Sequence, residues 1–300
     1  MEKNNRPLVS IVIPCYNHEQ FVQDCIQSVI DQTYQNIELI IIDDGSKDHS
    51  VERIQKMVLK CEERFKNFEF RYRSNRGLCA TLNESLNFCS GEFFSVLASD
   101  DLIVKDKIER QVNFLQNNPR SGGVFGNVQL IKNNDSISTL AKKNSRFKKF
   151  NFDDVINHNF KLLAPTQLLR LELIHRVKGF NENIILEDWY MWLKITELGY
   201  SLDMLSDTFA FYRRHNGNMS GQIERMHKGR LDVLKLFEDN YDLTEPLANL
   251  NMVTANDYLV VNKKRSFYFF RLTLSQYYKF FPRFKFNLKV VKYFIKYLVI

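Results

Sequence analysis

The sequence predicts an α/β fold, a mostly parallel central sheet flanked by helices, with a helical extension at its C-terminal end. Three observations predict it. Short apolar runs alternate with amphipathic stretches at about thirty residues per repeat, a period that requires right-handed crossovers between parallel strands. The early runs stop at polar clusters, Pro14-Cys15-Tyr16-Asn17, Asp43-Asp44-Gly45-Ser46 and Ser99-Asp100-Asp101. Near Val261 the composition then changes abruptly.

In order along the chain, Val9–Ile13 reads as a buried strand ended by Pro14. Asn17, with Gln20 three residues on, has the spacing of a capping box. Phe21, Val22, Cys25, Ile26, Val29 and Ile30 form one apolar helical face behind it. Glu38–Ile42 is a second buried strand. A helix over Ser50–Glu63, a strand at Phe68–Tyr72, a helix over Gly77–Phe88 and a strand at Glu92–Ala98 follow. Beyond these the pattern loosens. Gly123–Ile131 and Phe209–Tyr212 read as strands, and Phe152–Asn159, Glu187–Leu198 and Gln222–Phe237 as helices. Asn133–Arg146 reads as a polar connection. On such a sheet, ligands bind outside the carboxyl ends of the strands, so the polar clusters are expected on one rim.

Composition narrows the class. With 44% hydrophobic and 26% charged residues in 300, the chain is an ordinary globular one. No uncharged apolar stretch of about 18 residues occurs, so no spanning helix is expected. Met1–Pro7 runs directly into a strand, leaving no room for a signal peptide, and the expected location is the cytoplasm. The five cysteines are odd in number and lack a Cys-x-x-Cys pair, which points to buried reduced thiols.

The net charge of +7 conceals two regions. From Val261 to Ile300 there are ten Lys and Arg, thirteen aromatic residues and no Asp or Glu, so the first 260 residues carry −3. The expected organisation is a domain over 1–220 and a helical extension over 221–300, basic and aromatic from about 261. Interleaved cations and aromatics suit an anionic membrane surface, packing on the body, or a single-stranded nucleic acid. A peripheral seat on the inner face of the cytoplasmic membrane follows from the first.

Four clusters carry chemistry. Asp100-Asp101, at a strand end, repel each other unless a cation or a proton lies between them, and their oxygens suit Mg2+ or Mn2+; a simple turn uses the same residues. Asp43-Asp44-Gly45-Ser46 lacks the spacing of a phosphate-cradling loop, and with no Gly-x-Gly-x-x-Gly or Walker sequence in the chain, NAD dehydrogenases and P-loop enzymes are disfavoured. A carboxylate there suits a base or ribose. Glu187-Asp188-Trp189-Tyr190-Met191-Trp192 opens a helix, where an acid is either a first-turn charge or a general base. Its two tryptophans, the only two in the chain, suggest a surface for stacking on a sugar. Tyr212-Arg213-Arg214-His215 places cations and an imidazole on a loop suited to a diphosphate and its metal.

In this order and spacing the clusters resemble the family 2 glycosyltransferases, inverting enzymes of the GT-A fold that use nucleotide-diphosphate sugars. The resemblance runs from Val9 to about Ser220 on Ser10-Ile11-Val12-Ile13-Pro14-Cys15-Tyr16-Asn17, Ile41-Ile42-Asp43-Asp44-Gly45-Ser46, Asn75-Arg76-Gly77 with Asn83, Ser99-Asp100-Asp101, Glu187-Asp188 and Tyr212-Arg213-Arg214-His215. It implies Pro14 and Tyr16 around the base, Asp44 bonded to it, Arg76 near the nucleotide and Asp100 facing ribose or sugar. It implies Asp101 and His215 on Mn2+ or Mg2+, Arg213 and Arg214 over the diphosphate, Asp188 as general base, and Glu187 and Trp189 toward the acceptor. Ser99 stands where a third carboxylate would complete the acidic motif.

The expected function is inverting transfer of a hexose or N-acetylhexosamine from a UDP-sugar, or another nucleotide sugar, to a hydroxyl. The acceptor would be a glycan or polyprenyl-diphosphate-linked sugar in surface polysaccharide synthesis, of O-antigen or capsule type. A nucleic-acid-binding protein using the tail is disfavoured by the acidic body, so no nucleic acid is expected. A nucleotidyltransferase would want a Gly-rich basic loop after the first strand, where this chain has Pro14-Cys15-Tyr16-Asn17.

Overall fold

The computed structural model of the chain describes residues 6–131, 146–215, 217–277 and 284–299. The polar connection expected at Asn133–Arg146 lies outside the described residues except for its last member. The chain forms two compact units, one from the described residues within 1–152 and 161–215, the other from those within 153–160 and 216–300.

The first unit is built on a sheet of nine strands among the described residues. They are β1 Val9–Cys15, β2 Ile37–Asp43, β3 Phe68–Tyr72, β4 Phe93–Val96, β5 Leu102–Ile103, β6 Ser121–Ile131, β7 Lys148–Phe150, β8 Leu168–Arg170 and β9 Ser201–Arg213. Their order is β3-β2-β1-β4-β8-β6-β9-β5, with β7 also on β9. β1 to β4 pair in parallel, in registers such as Val9↔Ile37 and Val9↔Phe93. All seven residues of β2 are buried, as expected of a strand covered on both faces.

The other half of the sheet is mixed. β8 runs antiparallel to both β4 and β6, β9 is parallel to β6, and β5 and β7 are antiparallel to β9. Two reversals restore the direction, so the C-terminal end of β9 lies on the same rim as those of β1, β2 and β4. That places the loops after Cys15, Asp43, Val96 and Arg213 along one edge.

The helices are α1 Val22–Ile30, α2 Ser50–Gln55, α3 Val58–Arg64, α4 Leu78–Leu86, α5 Lys107–Asn117, α6 Phe152–Ile156, α7 Leu171–Arg176, α8 Glu187–Glu197, α9 Ile223–Lys235, α10 Thr244–Tyr258, α11 Lys263–Tyr277 and α12 Phe284–Val299. α1 buries Val22, Cys25, Ile26 and Val29, the face its periodicity predicts. The expected cap does not form: α1 starts after Phe21 without a side-chain cap, and Asn17 sits at φ 55° with its Oδ1 accepting the N–H of Lys47 at 2.8 Å. The helix expected over Ser50–Glu63 is two, α2 and α3. All five cysteines are free, and four are buried.

The second unit has its own core, in which Ala248, Met252 and Ala255 of α10 meet Phe269 and Phe270 of α11 and Tyr293 of α12. Phe270 and Tyr293 stack with ring centroids 4.3 Å apart, and the Tyr293 hydroxyl lies 2.7 Å from Ser266 Oγ. The basic aromatic tail is thus divided between an inward and an outward face. Val291, Phe294, Ile295 and Leu298 repeat at helical spacing on α12 and are 53%, 43%, 57% and 81% exposed. Among the described residues no helix is long and apolar enough to cross a membrane.

Candidate functional site

In the sheet, β1 lies between β2 and β4, so the chain moves outward from β1 to β3 and then returns to the other side of β1. The loops after β1 and β4 therefore flank a topological switch point, where open α/β sheets form their ligand crevice. One short-range turn and two bonds between loops build the walls. Asp43 accepts the N–H groups of Gly45 and Ser46 at 3.1 and 2.8 Å and the Ser46 hydroxyl at 2.6 Å. Ser46 Oγ accepts the N–H of Asn17, and Ser50 Oγ that of His18 at 2.9 Å, which laces the loop after β1 to the loop after β2. Gly45 adopts φ +79°, and a Cβ there would lie 2.5 Å from the Asn75 nitrogen, so this turn requires glycine.

Across the switch point, His18 Nδ1 lies 2.7 Å from Ser99 Oγ. His215, two residues beyond β9, sets its Nε2 2.9 Å from Asp100 Oδ2. The two imidazoles meet edge to face, with centroids 5.8 Å apart, and His215 stacks on Phe21 at 5.2 Å. One potential ligand atom from each of His18, Asp100 and His215 falls within 4.8 Å of the others. Burial holds the His18 pKa below its ordinary value, against the pull of the nearby Asp100 charge, so its ring favours the neutral form that ligates metals. Two imidazoles and a carboxylate, with one histidine already on that carboxylate, form a donor set that fits a divalent cation.

Asp101 is placed differently from expectation. The carboxylate facing His215 is that of Asp100; Asp101, 1% exposed, accepts the backbone N–H of Arg213 at 2.9 Å. Adjacent residues in a tight turn, here closed by Asp101 N–H to the Ala98 carbonyl at 3.0 Å, send their side chains in different directions. Burial, and secondarily the charge on Asp100, push the Asp101 carboxyl up to about 8. Arg213 is buried too, donating its Nε–H to the Asp100 carbonyl at 3.0 Å with its guanidinium over the Phe21 ring at 4.9 Å. Arg214 is exposed beyond it, and its backbone N–H bonds the Ile131 carbonyl.

The residues expected around the nucleotide fall on the neighbouring loops. Tyr16 is 44% exposed just past β1, and Pro14 pairs opposite Ile42 near the end of that strand. Asp44 is 5% exposed and pairs with the Arg73 guanidinium while accepting the N–H groups of Arg76 and Gly77 at 2.8 and 2.9 Å. It thus shapes the loop that carries Arg76, whose own side chain is more than half exposed. Arg73, which sequence reasoning missed, also grips Glu84 at 2.6 Å and Thr81 at 2.9 Å and so ties this loop to α4.

From α4 the scaffold continues to the last cluster. The Cys79 thiol donates to the Ile184 carbonyl at 3.4 Å, just before α8 begins. Glu187 and Asp188 are half-buried in the first turn of α8, and Asp188 Oδ1 accepts the N–H of Trp189 at 2.6 Å. Burial, then the Asp188 charge, hold the Glu187 carboxyl well above the usual range. The tryptophans correct an expectation. Trp189 and Trp192 are 3% and 2% exposed, and Trp192 packs edge-on to Phe125 while its Nε1–H donates to Gln167 Oε1 at 3.1 Å. They turn into the core and leave no open ring face for a sugar.

His18 was the other residue missed, for its only signal was its place in the loop after β1. The structure brings His18, Ser99, Asp100, Asp101, Arg213 and His215 into one contact network.

Against known proteins, residues 10–176 match the family described as Glycosyl transferase family 2, more than half of the chain. An uncharacterized glycosyltransferase of Haemophilus influenzae is 40% identical over 141 residues, 46% of this chain and 55% of that protein. One of Rickettsia felis is 31% identical over 198 residues, 63% of this chain but 31% of that protein, so the chain spans about a third to a half of these relatives. Among solved structures, mannosyltransferase PcManGT from Pyrobaculum calidifontis in complex with GDP-Man and Mn2+ superposes with a TM-score of 0.65 at 14% identity, covering 99% of this chain and 87% of that one. S. aureus TarS 1-349 in complex with UDP-GlcNAc gives 0.57 at 16% identity, covering 95% and 79%. These likenesses are of fold, and the fold is GT-A. On the match over residues 10–176, the chain belongs to glycosyl transferase family 2.

Proposed function

We propose that the protein is a metal-dependent, inverting glycosyltransferase. It moves a hexose or N-acetylhexosamine from a UDP-sugar, or another nucleotide sugar, to a hydroxyl of a glycan or polyprenyl-diphosphate-linked acceptor. The synthesis of a surface polysaccharide of O-antigen or capsule type is the setting this reading favours. The observation that carries it is the convergence of His18, Asp100 and His215 beside the switch point of the sheet. The UDP-GlcNAc and the GDP-Man with Mn2+ held by the two similar structures support a nucleotide-sugar donor.

His18, Asp100 and His215 would hold Mn2+ or Mg2+, which supplies charge stabilisation for a departing diphosphate. The residues of the chain do the rest. Tyr16 offers an exposed ring to the base, and Pro14 lines the same loop. Asp44, through Arg73 and the Arg76 and Gly77 amides, keeps the nucleotide-side loop in shape. Arg213 fixes the acidic turn, and Arg214 offers a cation at the rim for the negative charge that develops on the leaving group. Asp188, at the positive end of α8, takes the proton of the acceptor hydroxyl as that oxygen attacks the sugar from the face opposite the phosphate. Glu187 borders the acceptor side.

The outward face of α11 and α12, apolar and cationic with no acid from Val261 onward, suits an anionic membrane surface and a lipid-linked acceptor on its inner face. This reading expects no nucleic-acid partner.

Purified protein incubated with UDP-hexoses, UDP-N-acetylhexosamines and GDP-mannose, with Mn2+ or Mg2+ present, should release nucleoside diphosphate from at least one donor. Failure of every donor to bind or to be hydrolysed would remove the reading.

A further inference from the structure

We infer that His18 is a third protein ligand of the cation, and that the two imidazoles make this centre select a transition ion such as Mn2+ over Mg2+. The inference rests on the cation site of the proposed function and deepens it, because it commits His18 to direct coordination, with Ser99 as its outer partner, and predicts a metal preference.

Four observations carry it. His18 stands at the switch point itself, in the loop after β1, and its neighbour across the crevice is the loop after β4. Its ring nitrogen, an Asp100 oxygen and a His215 nitrogen can lie within 4.8 Å of one another, a spacing that one ion spans. The loop is held from behind: the His18 N–H donates to Ser50 Oγ at 2.9 Å, and the next N–H, that of Glu19, donates to Asp48 at 3.0 Å. Finally, Nδ1 is engaged with Ser99 Oγ at 2.7 Å. With the proton on Nδ1 and donated to that hydroxyl, Nε2 keeps its lone pair for a metal, the usual way in which an outer partner fixes a ligating histidine.

Ser99 thereby gains a role. A carboxylate at this position would add a hard oxygen donor; a serine instead orients an imidazole. Mg2+ prefers oxygen ligands and gives up water reluctantly, whereas imidazole suits the later first-row ions. The ordering of affinities should therefore move away from Mg2+ and toward the first-row transition ions, Co2+ more strongly than Mn2+.

The test uses the full chain without donor. Pulsed electron paramagnetic resonance of bound Mn2+ should detect two coordinated imidazole nitrogens in the wild type and one in His18→Gln. Titration with Mn2+, and competition by Mg2+, should show His18→Gln weakening Mn2+ by about 10- to 100-fold while Mg2+ changes little, so that the preference collapses. Ser99→Ala should weaken Mn2+ in the same direction by a smaller factor. One imidazole coupling in the wild type, which needs no variant to fold, would overturn the inference, as would an unchanged Mn2+ to Mg2+ ratio in His18→Gln. Two couplings in a protein that hydrolyses no nucleotide sugar would leave the ligand assignment standing and remove only the proposed function. Asp100→Asn binding Mn2+ as tightly as the wild type would remove both.

Discussion

Arg213 donates its backbone N–H to Asp101 Oδ1 at 2.9 Å, and its side-chain Nε–H reaches the carbonyl of the preceding Asp100 at 3.0 Å. The end of β9 is thereby stitched to the acidic turn after β4, across 112 residues of sequence. His215 follows two residues later, so this double contact sets where its imidazole stands relative to Asp100. Asp101 acts from behind the proposed cation site, as the support for the loop that carries His215.

That placement has a pH signature. With its carboxyl raised to about 8, chiefly by burial and then by the charge on Asp100, Asp101 keeps a proton in the folded protein that the unfolded chain releases near 4. The folded state binds more protons between these values, so stability falls as pH rises through that window. Asp101→Asn removes the titration and keeps an oxygen for the Arg213 N–H. Without divalent ions, the melting temperature of the variant should decline less than that of the wild type between about pH 5 and 8. Parallel profiles would show that Asp101 does not titrate as placed here.

The same geometry explains what the sequence could and could not disclose. β1, β2 and β4 were legible because strands buried on both faces read as unbroken apolar runs, and the acids at their ends stood out against them. β5 has two residues and β8 three, too short for any period, so of the mixed half only β6 and the end of β9 could be read as strands. The pairing of His18 with Ser99 spans 81 residues and depends on which strands are neighbours, so nothing near His18 could announce it. The tryptophan expectation failed for a different reason. Trp189 and Trp192 are three apart on a helix, hence on one face, and that face is the one α8 turns toward Phe125 of the sheet.

Asp188→Asn tests the proposed base while leaving an amide oxygen that can still accept the N–H of Trp189. Turnover should drop by a factor of about 10² to 10⁴ while the dissociation constant of the donor stays within a few-fold. Stopped assays with a defined acceptor, paired with calorimetry on the donor alone, separate the two. Near-normal transfer by the Asn variant would assign the proton to another group.

On α12, Val291, Phe294, Ile295 and Leu298 form a second apolar stripe beside the one buried against α11, and Lys292 and Lys296 flank it. Basic residues near an anionic leaflet contribute about 1 kcal/mol each, and exposed apolar side chains add burial in the headgroup zone. Phe294→Glu with Leu298→Glu should therefore cut binding to vesicles containing phosphatidylglycerol by at least about 10-fold, with binding to the wild type weakened by salt. Undiminished sedimentation of the double variant would rule out the stripe as the contact. A fall in molecular mass in solution with vesicle binding intact would assign the stripe to a second copy of the chain instead.

Lys107 offers a test remote from the proposed chemistry. It is fully buried at the start of α5, where its Nζ donates to Ser95 Oγ at 2.9 Å and to the Gln167 carbonyl at 3.1 Å, and no carboxylate pairs with it among the described residues. Burial alone pushes its pKa down to about 7. Between that value and the ordinary 10.5, the unfolded chain holds a proton that the folded protein lacks, so stability rises with pH over that interval. Lys107→Met keeps the length of the side chain and removes the charge, and Ser95 Oγ still donates to the Gln167 carbonyl at 2.8 Å. The variant should melt about 2 to 4 °C higher near pH 7 and lose the upward slope at alkaline pH. A Met variant that melts lower at neutral pH would mean that the ammonium's two hydrogen bonds outweigh the cost of taking it out of water.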